Sequence, residues 1–290
     1  MRILLTGGSG FVGQAVLKVL NKQQNLEIEV VSRGGSEEGF SQLGIRAHEF
    51  DYIKESVYQQ ELLSNFDVLV HCAWEGLPRK SSHLNYSNVK ASTKLFKNFV
   101  KFGGQKIISI GSCLEYGTAV GEVSEEFSGV NVEGFGLAKR NLLSCLNDLD
   151  CDYAWLRPFF LYGPNQHANS LLKTSINKRF ETGHEWLNEP TKKNDFTYVE
   201  DVANLILEIL ESNSYVKELN IGSSVSRRNI DFVNLVRRNL GYTPLEFGVG
   251  STEGMVSCNS KLLKHFPKFL ITELEDGLNK TLTCYKEGWK

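Results

Sequence analysis

An excess of charge of either sign is missing. The 290 residues carry 32 Lys and Arg against 34 Asp and Glu, for a formal net charge of -2. So near-neutral a balance gives no broad attraction for nucleic acid or for an acidic membrane, and neither is expected as a partner. Long apolar runs are missing as well, and no stretch approaches the ~20 residues needed to cross a bilayer. Met1-Arg2 leads into the short run Ile3-Leu4-Leu5 rather than into a secretory signal. The six cysteines, at 72, 113, 145, 151, 258 and 284, form no Cys-x-x-Cys pair, which argues against a zinc knuckle or a dithiol motif. Reduced thiols and a cytoplasmic location are therefore expected. The histidines lack metal-ligand spacing. Of these, His83, His167, His184 and His265 read as loop or surface residues. No internal repeat, low-complexity tract or flexible linker interrupts the chain.

What remains is an ordinary core-forming composition, with 41% hydrophobic and 23% charged residues. This suits one large soluble domain or two intimate ones. Short apolar runs alternate with helical patterns over the first half. Ile3–Leu5, Ile28–Val31, Val68–Val70, Ile107–Ile110 and Tyr153–Leu156 read as strands. Helical spacing marks Phe11–Leu20, Val89–Val100 and Gly136–Leu149, with Val202–Glu211 and Phe232–Leu240 later. Such alternation predicts an α/β fold of the Rossmann type, a doubly wound parallel sheet with helices on both faces. After Arg157-Pro158 the rhythm loosens, and loops are expected near 163–170 and 183–197. Residues 1–157, with some later segments, are assigned to the sheet domain. Residues 158–290 are assigned mainly to a smaller C-terminal substrate-binding lobe.

The segment Thr6-Gly7-Gly8-Ser9-Gly10-Phe11-Val12-Gly13 follows the first strand and opens the first helix. Its glycines permit a tight turn and let backbone N–H groups approach a pyrophosphate, with the positive end of the helix dipole behind them. Gly7, Gly10, Phe11, Val12 and Gly13 are thus candidate dinucleotide contacts. An NAD site usually carries Asp or Glu at the end of the second strand, about 20 residues on. Here that strand ends in Ser32-Arg33. Ser32 removes the repelling carboxylate, and Arg33 can pair with a 2′-phosphate. NADP(H) is expected over NAD(H), although Glu37 and Glu38 could engage a ribose if their loop folds back.

With the glycine loop in place, a series of motifs resembles the extended short-chain dehydrogenase/reductase family, in its NAD(P)-dependent epimerase/dehydratase branch. Asp51-Tyr52 resembles the adenine-contacting Asp and its neighbour. His71-Cys72-Ala73-Trp74 resembles the H-x-A-A loop beside the cofactor phosphates, with Cys72, Ala73 and Trp74 as contacts. Asn88 lies in a segment similar to the N-V-x-G-T helix start. Ser112-Cys113-Leu114-Glu115-Tyr116-Gly117 resembles S-x-x-x-Y-G, whose Ser or Thr is catalytic. Arg157 to Pro164 resembles R-P-x-N-x-Y-G-P, which makes Pro158 a cofactor contact and Phe160 a substrate contact. Asp195 to Ala203 resembles D-F-x-Y-V-x-D-V-A. Phe160 replaces a usual Asn, and Asn194 replaces a usual Arg. Glu115 is read as a contact to sugar hydroxyls or a solvent-facing carboxylate. Arg227, paired with Arg228, is read as a diphosphate clamp or a solvated helix start. Trp74 and Trp186 suit stacking on a base or sugar, or plain aromatic packing.

The resemblance places the family's Y-x-x-x-K pair on Phe135 and Lys139. One helical turn puts the two on the same face. Lys139 would hold the nicotinamide ribose and lower the pKa of a hydroxyl at 135, while Ser112 would steady the substrate oxygen. Phenylalanine keeps the ring and removes the proton donor, an effect of ~10²–10⁴ in rate. Three explanations stand open: an engineered Tyr→Phe change, a natural enzyme with another proton source (Glu115, Cys113, Tyr162 or water), and a natural binding protein. The resemblance implies a homodimer acting on a nucleoside-diphosphate sugar. The expected activity is NADPH-dependent reduction of a 4-keto-6-deoxy sugar. The alternatives are a nucleotide-sugar 4-epimerase and a redox-silent NADP-binding sensor or scaffold. Cys113-Leu114, standing where 4,6-dehydratases carry an Asp-Glu pair, disfavours a dehydratase.

Overall fold

The structure is a computed structural model. It describes residues 1–35, 37–51, 53–54, 60–77, 82–178, 187–212, 215–248 and 250–287. Tyr52, His184 and Trp186 fall outside the described residues, as does the side chain of Glu37.

The chain begins with β1 (Arg2–Thr6), α1 (Phe11–Leu20), β2 (Glu27–Ser32), α2 (Glu37–Gln42) and β3 (Arg46–Glu49). It continues through α3 (Gln60–Leu63), β4 (Val68–His71), α4 (Ser82–Lys101), β5 (Lys106–Ile110) and a 3-10 turn at Cys113–Tyr116. Next come β6 (Gly121–Val123), α5 (Gly134–Asn147), β7 (Asp152–Pro158), β8 (Phe160–Tyr162) and α6 (Leu171–Ile176). Then follow β9 (Lys193–Tyr198), α7 (Val199–Glu211), β10 (Glu218–Ile221), β11 (Ser226–Arg228) and α8 (Asn229–Asn239). The last elements are β12 (Met255–Ser257), α9 (Ser260–His265) and α10 (Leu274–Lys286).

Seven strands form the main sheet in the order β10-β7-β5-β4-β1-β2-β3. Every pair from β3 through β7 is parallel. This is the doubly wound sheet that the strand-helix alternation predicts. Ile3, Leu4 and Leu5 of β1 are wholly buried, as are Leu69 and Val70 of β4. Central strands covered on both faces read as continuous apolar runs, which is why they are visible in the sequence. The order reverses between β1 and β4, so the loops after these strands open side by side.

Two compact units divide the chain. The first holds residues 1–118, 129–157 and 202–219; the second holds 119–128, 158–201 and 220–290. Segment 202–219 is a later stretch of the kind allowed to the first domain, while 119–128 falls in the second unit. The first core gathers Leu4, Leu69, Phe96, Phe99, Leu142 and Trp155. The second has its own core, including Tyr162, Phe196, Phe232, Val236 and Leu278. Within that unit β8, β9 and β11 form a three-stranded sheet, and β6 pairs with β12. The strand at Lys193–Tyr198 corrects the expectation of a loop through 183–197. The helix expected from Val89 starts earlier, at Ser82, so Asn88 sits inside it rather than at its start.

Candidate active site

The end of β1 makes the first wall of the site. Gly7 has φ +75°, and a Cβ there would meet the backbone of Ala73 at 2.6 Å. A Cβ on Gly13 would lie 2.0 Å from the Gly7 carbonyl oxygen. Gly10 donates its N–H to the same oxygen at 2.9 Å. The turn is therefore drawn tight against the loop after β4 with no room for side chains. Gly10 is the N-cap of α1, and no side chain caps it. The first helical N–H groups sit behind an exposed Ser9-Gly10, a fit for the pyrophosphate of a dinucleotide.

The loop after β4 forms the second wall. The Cys72 N–H donates to the Thr6 carbonyl at 3.1 Å, joining the two strand ends. His71, expected as part of the cofactor loop, is instead a buried strand residue. Its Nδ1 lies 2.8 Å from Thr6 Oγ1, and its Nε2 lies 3.0 Å from Ser92 Oγ. Burial, helped by the nearby Lys139 charge, draws its pKa down to about 3, so it stays neutral. Asn88 fixes the next turn, accepting from the Glu75 N–H at 2.8 Å and donating to the Glu75 carbonyl at 2.9 Å. Asp51 closes a turn of its own, accepting from the Ile53 N–H at 3.1 Å.

At the end of β2, Ser32 is buried and Arg33 is 51% exposed. The Arg33 guanidinium stands 3.1 Å from the Glu75 carboxylate. Its present partner is thus an acidic side chain, which the sequence did not reveal.

Ser112 follows β5 and begins the 3-10 turn. Its hydroxyl accepts from the Leu114 N–H at 3.1 Å, and its own N–H donates to Glu115 Oε1 at 2.8 Å. This is a capping box, and it leaves the hydroxyl proton able to donate. Glu115 is a correction to the sequence reading. It is only 2% exposed. Its oxygens accept from Trp155 Nε1 at 3.0 Å and from Arg157 Nε at 2.8 Å, as well as from Ser112. Arg157 also pairs with Glu218 at 2.7 Å. A carboxylate so committed holds the turn in place and is no candidate for binding sugar hydroxyls or supplying a proton.

Phe135 and Lys139 both lie on α5 and are buried. Lys139 Nζ donates to the Ile110 carbonyl at 2.7 Å, the strand end that leads into Ser112. The Trp74 ring centroid lies 4.0 Å from the same ammonium and the Phe135 centroid 5.6 Å. Trp74 and Phe135 meet edge to face at 5.4 Å. Burial draws Lys139 down to about 7, against the opposing influence of Glu115. Cys72 moves the other way, pushed up to about 12 by burial. Trp74 is therefore packed against Lys139 and Phe135, the packing alternative in the sequence reading.

The other side chains proposed as proton sources are buried. Cys113 is buried. Tyr162 belongs to the second unit, where its hydroxyl donates to the Leu274 carbonyl at 3.3 Å and burial raises its pKa far above the usual range. Pro158 is the buried last residue of β7 and the first of the second unit.

The second unit has a cavity of about 460 Å³, lined in part by Phe160, Lys192, Asn194, Phe196 and Phe232. Phe196 and Phe232 stack at 4.3 Å. Lys192 is 3.1 Å from Glu189, and Asn194 Nδ2 donates to Asn229 Oδ1 at 2.8 Å. Arg227 stands opposite Asn194 in the β9–β11 pair, while Arg228 binds Asp231 at 2.7 Å. Asp195, a motif residue, is a hub: it accepts from the backbone of Ser223, Ser224 and Ser257. Its role was hidden because its partners lie 28 to 62 residues along the chain. Among the described residues no group of His, Cys, Asp and Glu is arranged to hold a metal. No described helix is long and apolar enough to cross a membrane.

Known proteins agree with this architecture. The UDP-glucuronic acid 4-epimerase of Bacillus cereus, solved with NAD, superposes with TM-score 0.83 over 100% of both chains at 20% identity. The dTDP-6-deoxy-L-talose 4-dehydrogenase (NAD(+)) of Aggregatibacter actinomycetemcomitans is 26% identical over 258 residues, covering 84% of this chain and 93% of the relative. The dTDP-4-dehydro-6-deoxyglucose reductase of Escherichia coli is 24% identical over 245 residues, covering 77% of each. A model of the NAD dependent epimerase/dehydratase family matches residues 3–222. The chain belongs to that family, the one its ordered motifs already resembled.

Proposed function

We propose that the protein is an NADPH-dependent reductase of a nucleoside-diphosphate 4-keto-6-deoxy sugar. The observation that carries this reading is the meeting of three neighbouring strand ends in the first unit. β1 supplies the uncapped glycine turn, β4 the Cys72–Trp74 loop, and β5 the Ser112 turn with Lys139 tied to its last carbonyl. The glycine turn would hold the cofactor pyrophosphate, with Ala73 packed beneath it. When bound, the cofactor supplies hydride chemistry. Ser112 would donate its hydroxyl proton in a hydrogen bond to the substrate oxygen as charge develops there. Phe135 keeps the wall apolar and contributes no proton.

Two of the relatives support the substrate class by their names: one acts at position 4 of a dTDP-6-deoxy sugar, and the other reduces a 4-dehydro-6-deoxy sugar. NADPH is proposed because β2 ends in Ser32-Arg33. The Arg33–Glu75 pair is exposed, and such pairs contribute roughly 0–1 kcal/mol, so a 2′-phosphate can displace the carboxylate. A second reading, a nucleotide-sugar 4-epimerase using NAD, is favoured by Glu75 itself, which offers a carboxylate near the end of β2 to ribose hydroxyls.

Titration with NADPH and NADH, followed by turnover with a dTDP-4-keto-6-deoxyhexose, tests the choice. The reductase reading expects tighter NADPH binding, lost in Arg33→Ala, and net NADPH oxidation. Tighter NADH binding with interconversion of 4-epimers would establish the second reading. Cofactor binding without turnover, in both this chain and Phe135→Tyr, would leave a sensor.

A further inference from the structure

Two departures from the family pattern touch each other. Trp74 stands where the H-x-A-A loop has Ala, and Phe135 stands where the catalytic pair has Tyr. Their rings meet at 5.4 Å, and both face the ammonium of Lys139. We propose that the Lys139 ammonium is itself the proton donor to the substrate oxygen, in the role a hydroxyl at 135 would fill. This assignment rests on the reductase reading.

The surroundings leave few other groups. Glu115 is held by Ser112, Trp155 and Arg157, and His71 by Thr6 and Ser92. The Cys72 thiol keeps its proton well above neutral pH. These three are the titratable groups whose charges bear on Lys139, from the turn after β5, from β4 and from the loop behind it. Burial draws Lys139 itself down to about 7. A proton donor works best with a pKa close to the working pH.

Geometry adds a second argument. Nζ, reaching over from α5, is tethered to the Ile110 carbonyl, two residues before Ser112, so the donor is tied to the strand end that carries the oxyanion-steadying hydroxyl. Its cover, Trp74, is half-buried and held by a 3.3 Å hydrogen bond from Nε1 to Asn85. The Trp155 ring centroid lies 5.9 Å from the same ammonium. When bound, the cofactor would supply hydride to the carbonyl carbon, with the C=O π pair moving to oxygen. An N–H bond of Lys139 breaks as the O–H bond forms. The products are the carbinol, the oxidised nicotinamide and a neutral amine, which regains its proton from water.

The test combines lysine 13Cε NMR titration of the full chain with kinetics. The Lys139 resonance, identified by its loss in Lys139→Arg, is expected to titrate near pH 7. The rate of 4-keto sugar reduction should fall as pH rises through the same midpoint. Lys139→Arg, which keeps the cation but cannot release a proton, should lower kcat by ~10²-fold or more and abolish the fall in rate near pH 7. A midpoint near that of surface lysines, or full activity in Lys139→Arg, overturns the assignment. An inactive native chain beside an active Phe135→Tyr overturns this assignment alone. Inactivity of both overturns the reductase reading and this assignment with it.

Discussion

At the scale of single residues, the glycine turn leaves the least freedom. Gly13→Ala places a methyl group 2.0 Å from a carbonyl oxygen, so the backbone must shift. We expect a destabilisation of roughly 1–3 kcal/mol by urea denaturation, and at least a tenfold loss of dinucleotide affinity by fluorescence titration. Buried titrating groups act in defined pH windows. His71 has a folded pKa of about 3 against an ordinary 6.5, so the unfolded chain binds the extra proton between them. Its contribution to stability is complete above 6.5 and is lost as pH falls towards 3. His71→Asn should flatten the acid limb of the stability-pH curve in that window. Lys139 behaves in the same direction between 10.5 and about 7, with its burial cost greatest at the acid end. The Tm of Lys139→Met relative to the native chain should therefore be higher at pH 6 than at pH 9. The glycine spacing was legible in the sequence because the cradle is local. The burial of Glu115 was not, because Trp155 and Arg157 reach it from β7.

At the scale of elements, the turn after β5 is built by its own cap and a distant clamp. Ser112→Ala removes the cap bond to Leu114 and should cost about 1 kcal/mol of stability, measured by urea denaturation. Glu115→Ala should cost about 3–5 kcal/mol, because it deprives the buried Arg157 and Trp155 of their acceptor. Equal effects of the two changes would count against the clamp. The central strands were legible from their apolar runs. The two edge strands were not. β3 is Arg46-Ala-His-Glu, paired only with β2 and partly held by His48 against the buried Glu29. β10 at the other edge mixes Glu218 and Asn220 with its apolar residues, and Asn220 is satisfied by Glu125 and the Val123 carbonyl. An edge needs no continuous hydrophobic run, so periodicity passes over it.

At the scale of the whole molecule, each unit has its own core, and the glycine turn and the loop after β4 both lie within the first. Binding to the folded state alone adds stability where the ligand sits. Amide hydrogen exchange with saturating NADPH should therefore slow most at residues 6–13 and 71–75 of the first unit. Protection confined to the second unit would remove the cradle from consideration. The fold class was readable from strand-helix alternation. The full chain path was not, since segment 119–128 changes units without any mark in the sequence, and the bounds of the later return, 202–219, carry none either.

That path matters during synthesis. β6 pairs in parallel with β12, residue 121 against 255 and 123 against 257. On the ribosome, the stretch around Val123 emerges long before its partner has been made. Until Ser257 clears the exit tunnel, β6 is an open strand edge, and a growing chain offers it to any neighbour with a free edge of its own.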